Sequence, residues 1–121
     1  MKTNYYDTKD IKEILKEVKK YLKEGKTSDK ICELIGGTSC DKYLFGSDEI
    51  IHIIIKNTRF SGNFLMDEYD IKKIKQDMDE KSVNIFIDYE TKEIKADIKY
   101  IVEYKDGHIE KDYYEIAYIN F

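Results

Sequence analysis

Apolar and polar residues alternate along the C-terminal part of the chain, in three runs with an apolar residue at every second position. The runs cover residues 83–89, 94–104 and 114–118. A period of two is typical of strands with one buried face. Turn-forming residues separate the runs, at 90–93 and at 105–107. The pattern therefore predicts an antiparallel three-strand meander with one face on a core.

The loop lengths set the register of this meander. A four-residue loop at 90–93 pairs the first two strands so that their inward residues lie on one face. The predicted pairs are Tyr89 with Ile94, Ile87 with Ala96 and Ile85 with Ile98.

The second turn admits two lengths, which have opposite consequences for the last strand. A two-residue turn at Asp106 and Gly107 places Glu115 opposite Ile98 and turns charged residues toward the core. A three-residue loop with Gly107 in the left-handed conformation of a bulge places Tyr114 opposite Ile98 instead. We favour the three-residue loop. It also predicts the pairs Ala96 with Ile116 and Ile94 with Tyr118.

Three other segments carry apolar residues at the three-to-four spacing of an amphipathic helix. The first follows a cap at Asp7, and the second follows Thr27 or Ser28 and stops at Gly36. The third covers residues 67–79. The stripes are Ile11, Ile14, Leu15, Val18 and Leu22 in the first, Ile31, Leu34 and Ile35 in the second, and Ile71, Ile74 and Met78 in the third.

Residues 50–55 are nearly all isoleucine, which predicts the most buried strand. Residues 38–49 show no period and are predicted to form a loop or a short helical turn, with Tyr43, Leu44 and Phe45 tucked under the fold. A further strand broken at Gly62 fits residues 60–66.

These elements define an α+β fold with a mainly antiparallel sheet of four or five strands. The C-terminal meander is its centre, and two N-terminal helices and one middle helix pack on it. A length of 121 residues fits a single domain, 1–121.

The charge and the composition of the chain limit the classes of partner that we expect it to bind. The chain has 21 basic and 25 acidic residues, a net charge of −4 and a single arginine, Arg59. Sequence reading of DNA relies on arginine, so nucleic acid is disfavoured as a partner. No apolar run approaches the roughly 20 residues that span a bilayer, and no membrane association is expected. The N-terminus lacks the apolar core of a signal peptide, so we expect a cytoplasmic protein with Cys32 and Cys40 reduced.

Residues with catalytic potential do not form a known motif. Cys40 with His52 or His108 is the one nucleophile and base combination to consider, and a Cys40-dependent enzyme remains an alternative hypothesis. Cys32 and Cys40 lack the spacing of metal ligands. The glycines at 36–37 lack the spacing of a phosphate-binding loop. We therefore predict no enzyme activity and no catalytic, cofactor or metal site.

Two charged segments suggest other kinds of binding. Residues 26–45 resemble a helix-turn-helix in outline, which keeps a nucleic-acid-associated regulator as the first alternative. Its would-be recognition helix, 38–45, offers DNA only Lys42. The acidic residues between 67 and 80 permit nucleic-acid mimicry, although interspersed lysines favour an ordinary solvated helix.

The tyrosines point to a protein partner. Eleven are present, and the odd-numbered face of the last strand is apolar rather than polar. Tyrosine is enriched in protein interfaces. We therefore predict a partner-binding surface at Tyr113, Ala117, Ile119 and Phe121, used by another protein or by a homodimer. The expected function is that of a small acidic protein-binding module, such as an inhibitor, immunity or anti-defence accessory protein of a mobile element.

Overall fold

A computed structural model describes residues 2–62, 64 and 69–121 of the chain. It contains helices α1 (Thr8–Lys23) and α2 (Ser28–Leu34) and a short 3-10 helix, Met78–Glu80. The strands are β1 (Asn4–Tyr6), β2 (Ser39–Phe45), β3 (Asp48–Lys56), β4 (Thr58–Phe60), β5 (Ile71–Gln76), β6 (Ser82–Asp88), β7 (Glu93–Tyr104) and β8 (Ile109–Asn120).

Strand β7 joins the parts of a six-stranded antiparallel sheet. Along one edge it pairs with β8 over almost its whole length. Along the other edge, residues 93–97 pair with β6 and residues 100–104 pair with β5. Strands β3 and β2 extend the sheet beyond β6, and β1 and β4 form a separate parallel pair. The predicted α+β class, the antiparallel sheet and the C-terminal meander are confirmed, with more strands than predicted.

The two N-terminal helices are confirmed. The Asp10 N–H donates to Asp7 Oδ1 at 2.9 Å, and the Asp7 N–H donates to Asp10 Oδ2 at 3.0 Å. This reciprocal capping box satisfies backbone donors that α1 would otherwise leave unpaired. Thr27 Oγ1 caps α2 by accepting a single hydrogen bond from the Lys30 N–H.

The core lies between these helices and one face of the sheet. Every second residue of β6 and β7 faces it, in agreement with the predicted alternation. Strand β3, predicted to be the most buried strand, also has only alternate residues in the core and is less buried than β6. Its members include Ile11, Leu15 and Val18 of α1, Ile31 of α2, Ile51, Ile53 and Ile55 of β3, Val83, Ile85 and Ile87 of β6, and Ile94, Ala96 and Ile98 of β7.

The predicted middle helix is wrong, because its described part is strand β5 followed by the 3-10 helix. Ile71 pairs with Tyr104 and Ile74 with Val102, and the register shifts between them. The extra residue, Lys72, forms a bulge that leaves Ile71 and Ile74 on the same face. A spacing of three residues on one face therefore arises here from a bulged strand. Residues 65–68, which include the predicted start of the helix, lie outside the described residues.

Residues 39–45 form an edge strand instead of the predicted loop or helical turn. Strand β2 pairs with β3 in a tight hairpin. Leu44 and Phe45, predicted to be tucked under the fold, are each 73% exposed at its tip. Of the predicted strand at 60–66, Phe60 ends β4, and 63, 65 and 66 lie outside the described residues.

The β6–β7 register differs from the predicted one by two residues. Ile87 pairs with Ile94 and Ile85 with Ala96, because the loop consists of residues 89–92. A shift of two preserves the side-chain alternation, so the same residues face the core.

The β7–β8 turn has the predicted three-residue loop, with Gly107 at a φ of +94° and Ile98 paired with Tyr114. Farther along β8 the register shifts, and Ala96 pairs with Ala117 and Ile94 with Ile119. The predicted partners Ile116 and Tyr118 are therefore wrong. A bulge at Ile116 inserts one residue, and every side chain beyond it changes face.

Gly107→Ala should lower the free energy of unfolding by about 1 kcal/mol, because a left-handed backbone strains any residue with a Cβ. An added Cβ meets no atom within 4 Å, so backbone strain alone is measured. Denaturant unfolding of this variant and of Thr91→Ala, in the preceding turn, tests it. Unchanged stability of Gly107→Ala would contradict the need for a left-handed residue.

Candidate binding face

In the part of the chain that the structure describes, helices α1 and α2 pack on only one face of the six-stranded sheet, and the 3-10 helix touches the opposite face through Glu80. Helix α1 packs against β7 and β8, helix α2 packs against β2, and their buried residues join the core. We call the opposite face of the sheet the outer face. Its central residues are Tyr43 of β2, Ile50, His52 and Ile54 of β3, Asn84, Phe86 and Asp88 of β6, Lys95, Asp97, Lys99 and Ile101 of β7, and Tyr113, Glu115 and Tyr118 of β8.

Aromatic side chains are spread across the outer face in partly exposed positions. Tyr113 is 49% exposed and Tyr118 is 56% exposed. The His52 ring stacks on Phe86 with centroids 4.5 Å apart, and the Tyr43 ring meets His52 edge-on. Flat aromatic surfaces of this kind provide large contact area with little loss of side-chain freedom on binding.

A chain of hydrogen bonds crosses three strands under these rings. His52 Nε2 lies 2.9 Å from Asn84 Oδ1, and Asn84 Nδ2 donates to Asp97 Oδ1 at 2.8 Å. Since an amide oxygen can only accept, His52 carries its proton on Nε2. Asn84 is buried, and both ends of its amide are paired. The polar chain therefore holds His52 and Asp97 in fixed positions without a cost for an unpaired buried group.

The environment of Asp97 disfavours its charge. Burial raises the pKa of the Asp97 carboxyl from 3.8 to about 6. The hydrogen bond from Asn84 and the nearby His52 oppose this shift, whereas Glu115 and Glu80 add to it. The outer face therefore holds a carboxylate that a nearby cation would stabilise.

A second polar group lies beside the first. Lys99 Nζ is 3.4 Å from Glu80 Oε2, and the Tyr113 hydroxyl donates to the same carboxylate. The Lys99 ammonium also lies 5.8 Å from the Tyr113 ring centroid. These contacts orient Tyr113, although its ring stays half exposed.

The four predicted partner-binding residues do not share one exposed face. Tyr113 lies on the outer face as predicted. Ala117 is buried, and Ile119 and Phe121 are partly buried against the core. The bulge at Ile116 is the reason, because it turns the odd-numbered residues after it inward. Tyr118, predicted to face inward, lies on the outer face in their place. Whether Tyr113 contacts a partner stays a prediction.

The structure separates the residues of the other candidate sites. Cys40 pairs with Ile53 and lies on the core face, whereas His52 lies on the outer face and His108 lies in the distant β7–β8 turn. Burial raises the pKa of the Cys40 thiol, which disfavours a reactive thiolate. Both cysteines are free. Within the described part of the chain, no three His, Cys, Asp or Glu side chains are grouped as metal ligands.

The glycine segment and the helix-turn-helix outline also take other forms. A Cβ on Gly37 would lie 2.6 Å from both Cys32 Sγ and Ile53 Cγ2, so close packing explains this glycine. The second helix of the suggested helix-turn-helix is absent, because residues 39–45 are strand β2.

Sequence reasoning missed His52, Asn84, Asp97 and Tyr118 as members of one surface. The isoleucine run 50–55 predicted a strand buried throughout, so it did not indicate that His52 lies opposite the core, whereas the alternation in 83–89 and 94–104 places Asn84 and Asp97 there. No sequence signal gave the bulge that exposes Tyr118. Only strand pairing shows that these residues are neighbours.

No protein-family model matches the chain, and neither the curated proteins nor the solved structures contain a significant match. Among the described residues, no helix has the length and apolar character needed to cross a membrane.

Asp97→Asn should stabilise the protein at pH 8 and have little effect near pH 4. The folded-state pKa of about 6 exceeds the ordinary 3.8, so ionised Asp97 costs stability that grows as the pH rises through this window. Asparagine still accepts the hydrogen bond from Asn84. With allowance for solvent screening, the free energy of unfolding of Asp97→Asn at pH 8 should exceed that of the wild type by about 1–2 kcal/mol.

Denaturant unfolding at several pH values tests this, with Asp41→Asn, an exposed carboxyl on the same face, as the control. A stability difference between Asp97→Asn and the wild type that does not change with pH would contradict the assigned environment.

Proposed function

We propose that this chain is a small protein-binding module that docks onto another macromolecule through the outer face of its sheet. The observation that carries the proposal is the uncovered position of Tyr43, Tyr113 and Tyr118 beside the partly exposed His52 and Phe86. An aromatic surface held on a rigid sheet suits recognition, because little freedom is lost on binding.

The polar chain under the aromatic rings supports the same proposal. Its middle member, Asn84, is buried, and the chain holds the His52 ring against Phe86. Tyr118 and Lys95 occupy the same cross-strand row as that stacked pair. The result is a contact surface on which aromatic rings and charged side chains are interspersed, and aromatic residues are enriched in protein interfaces.

The biological role that we propose remains that of an inhibitor, immunity or anti-defence accessory protein, which acts by occupying a target. Binding rather than catalysis is part of this proposal. We place its action in the cytoplasm, in keeping with two free thiols. A target of this kind is best found by affinity capture from the native host.

Tyr118→Lys and Tyr113→Lys should each abolish capture of the target while the thermal midpoint stays nearly unchanged. Both side chains are about half exposed, so lysine is tolerated in the free protein but must be desolvated in the complex. Tyr5→Lys, at an exposed tyrosine of β1, is the matched control. A species captured by the wild type should be retained by Tyr5→Lys and lost with both outer-face variants.

Unfolding of Tyr113→Lys would assign that residue to the core. Equal capture by the wild type, Tyr118→Lys and Tyr113→Lys would remove the outer face as the docking surface.

A further inference from the structure

Charge is sorted along the strands of the outer face. The boundary between the mainly acidic part and the mainly basic part of the outer face crosses β7 between Asp97 and Lys99. On one side of it the outer-face charges are predominantly acidic, and on the other side they are predominantly lysine. The acidic end contains Asp41, Asp88, Glu93, Asp97 and Glu115 beside Lys95, and the basic end contains Lys73, Lys75, Lys99 and Lys111 beside Glu103. In their own chain Lys99 pairs with Glu80 and Lys111 with Asp77.

This pattern makes the outer face complementary to itself. A two-fold dimer uses the same surface on both copies. If residue i of the first copy contacts residue j of the second, then residue j of the first copy contacts residue i of the second. The two-fold axis that fits this pattern lies in the plane of the interface, runs perpendicular to the strands and crosses β7 between Asp97 and Lys99. It brings the acidic end of each copy over the basic end of the other. An axis parallel to the strands would instead bring like charges together.

The strand register shows which side chains would meet. Asp97 and Lys99 lie at equal distances from the axis, so each Asp97 faces Lys99 of the second copy, which is also paired with Glu80 of its own chain. Asp88 of β6 pairs with Glu93 of β7, and Lys73 of β5 pairs with Glu103 of β7. Because Glu93 and Glu103 lie at equal distances from the axis, Asp88 lies over Lys73 of the second copy. The partly buried Asp97 carboxylate would then lie close to a lysine of the second copy.

Apolar residues lie on both sides of the boundary. Tyr113 pairs with Lys99, Ile101 follows on β7, and Phe86 and Tyr118 occupy the row of Lys95. Two stacked sheets tolerate a twist of about 30° between their strands, so this arrangement needs no change in the fold. Two unfavourable meetings involve carboxylates that are already paired in their own chains. Glu103, paired with Lys72, would lie over Glu93, paired with Lys95, and Glu80, paired with Lys99, would lie near Asp97 of the second copy.

We infer that a second copy of this chain occupies the outer face in the free protein, as an antiparallel face-to-face dimer. The inference rests on the proposed function only in that the second copy covers the docking surface, so that a target must displace it. Self-association is thereby a means of regulating that surface.

Reversal of charge at each end tests the inference. Lys73→Glu with Lys75→Glu places like charges over Asp88 of the second copy, and Asp88→Lys with Glu115→Lys places like charges over Lys73 and Lys99 of the second copy. Sedimentation velocity from low to high micromolar concentration should show a wild-type dimer. Each double variant alone should self-associate at least about tenfold more weakly than the wild type. The reason is that opposite charges that face each other across the interface become like charges. An equimolar mixture of the two variants should recover the dimer.

Lys12→Glu with Lys20→Glu, on the exposed side of α1, is the matched control and should associate as the wild type does. Thermal midpoints of all variants confirm folding. A wild type that stays monomeric at every concentration overturns the inference. So does a mixture that fails to dimerise when each variant is folded, or a control that weakens association as strongly as the outer-face reversals.

The same measurements test the proposed docking surface separately from the dimer. A monomeric wild type whose target capture is lost on Tyr118→Lys overturns the dimer and supports the docking surface. A dimer with the expected charge dependence, combined with unchanged capture by Tyr118→Lys, supports the dimer and removes the docking surface.

Discussion

The pairing of β7 along both edges is the constraint on which the rest of the structure depends. One long strand holds β8 on one side and two shorter strands, β6 and β5, in succession on the other. Its core-facing residues, Ile94, Ala96 and Ile98, are fully buried under α1. Because side chains alternate along a strand, burial of this set forces Asp97, Lys99 and Ile101 onto the opposite face. The inner core and the outer face are therefore set by one register.

The outer face shows how a sheet can expose apolar rings and still keep buried polar groups satisfied. Asn84 connects His52 and Asp97 across three strands, and each of its amide atoms has a partner. The burial that raises the pKa of Asp97 to about 6 belongs to the same arrangement. The carboxylate is held where a further cation would be favourable, which links the local electrostatics to recognition.

The bulge at Ile116 decides which residues of β8 are available for contact. Without it, Ile119 and Phe121 would lie on the outer face and Tyr118 would face the core. With it, Ile116 and Ala117 are both buried, and Tyr118 stands beside Lys95. A bulge also twists an edge strand, and edge strands need some feature that discourages pairing with other chains. One inserted residue therefore shapes both the edge and the surface.

By itself the sequence determined the elements whose signals are local. The cap at Asp7, the cap at Thr27 or Ser28 and the stripe of α1 predicted the helices, and the alternation in β6 and β7 predicted the core residues, because these signals depend on neighbours in the chain. Tertiary structure alone decided the bulges at Lys72 and Ile116, the edge position of β2, and the meeting of His52, Asn84 and Asp97. Each of these depends on pairing between distant strands, and a shift of one residue in that pairing changes the face of every side chain that follows.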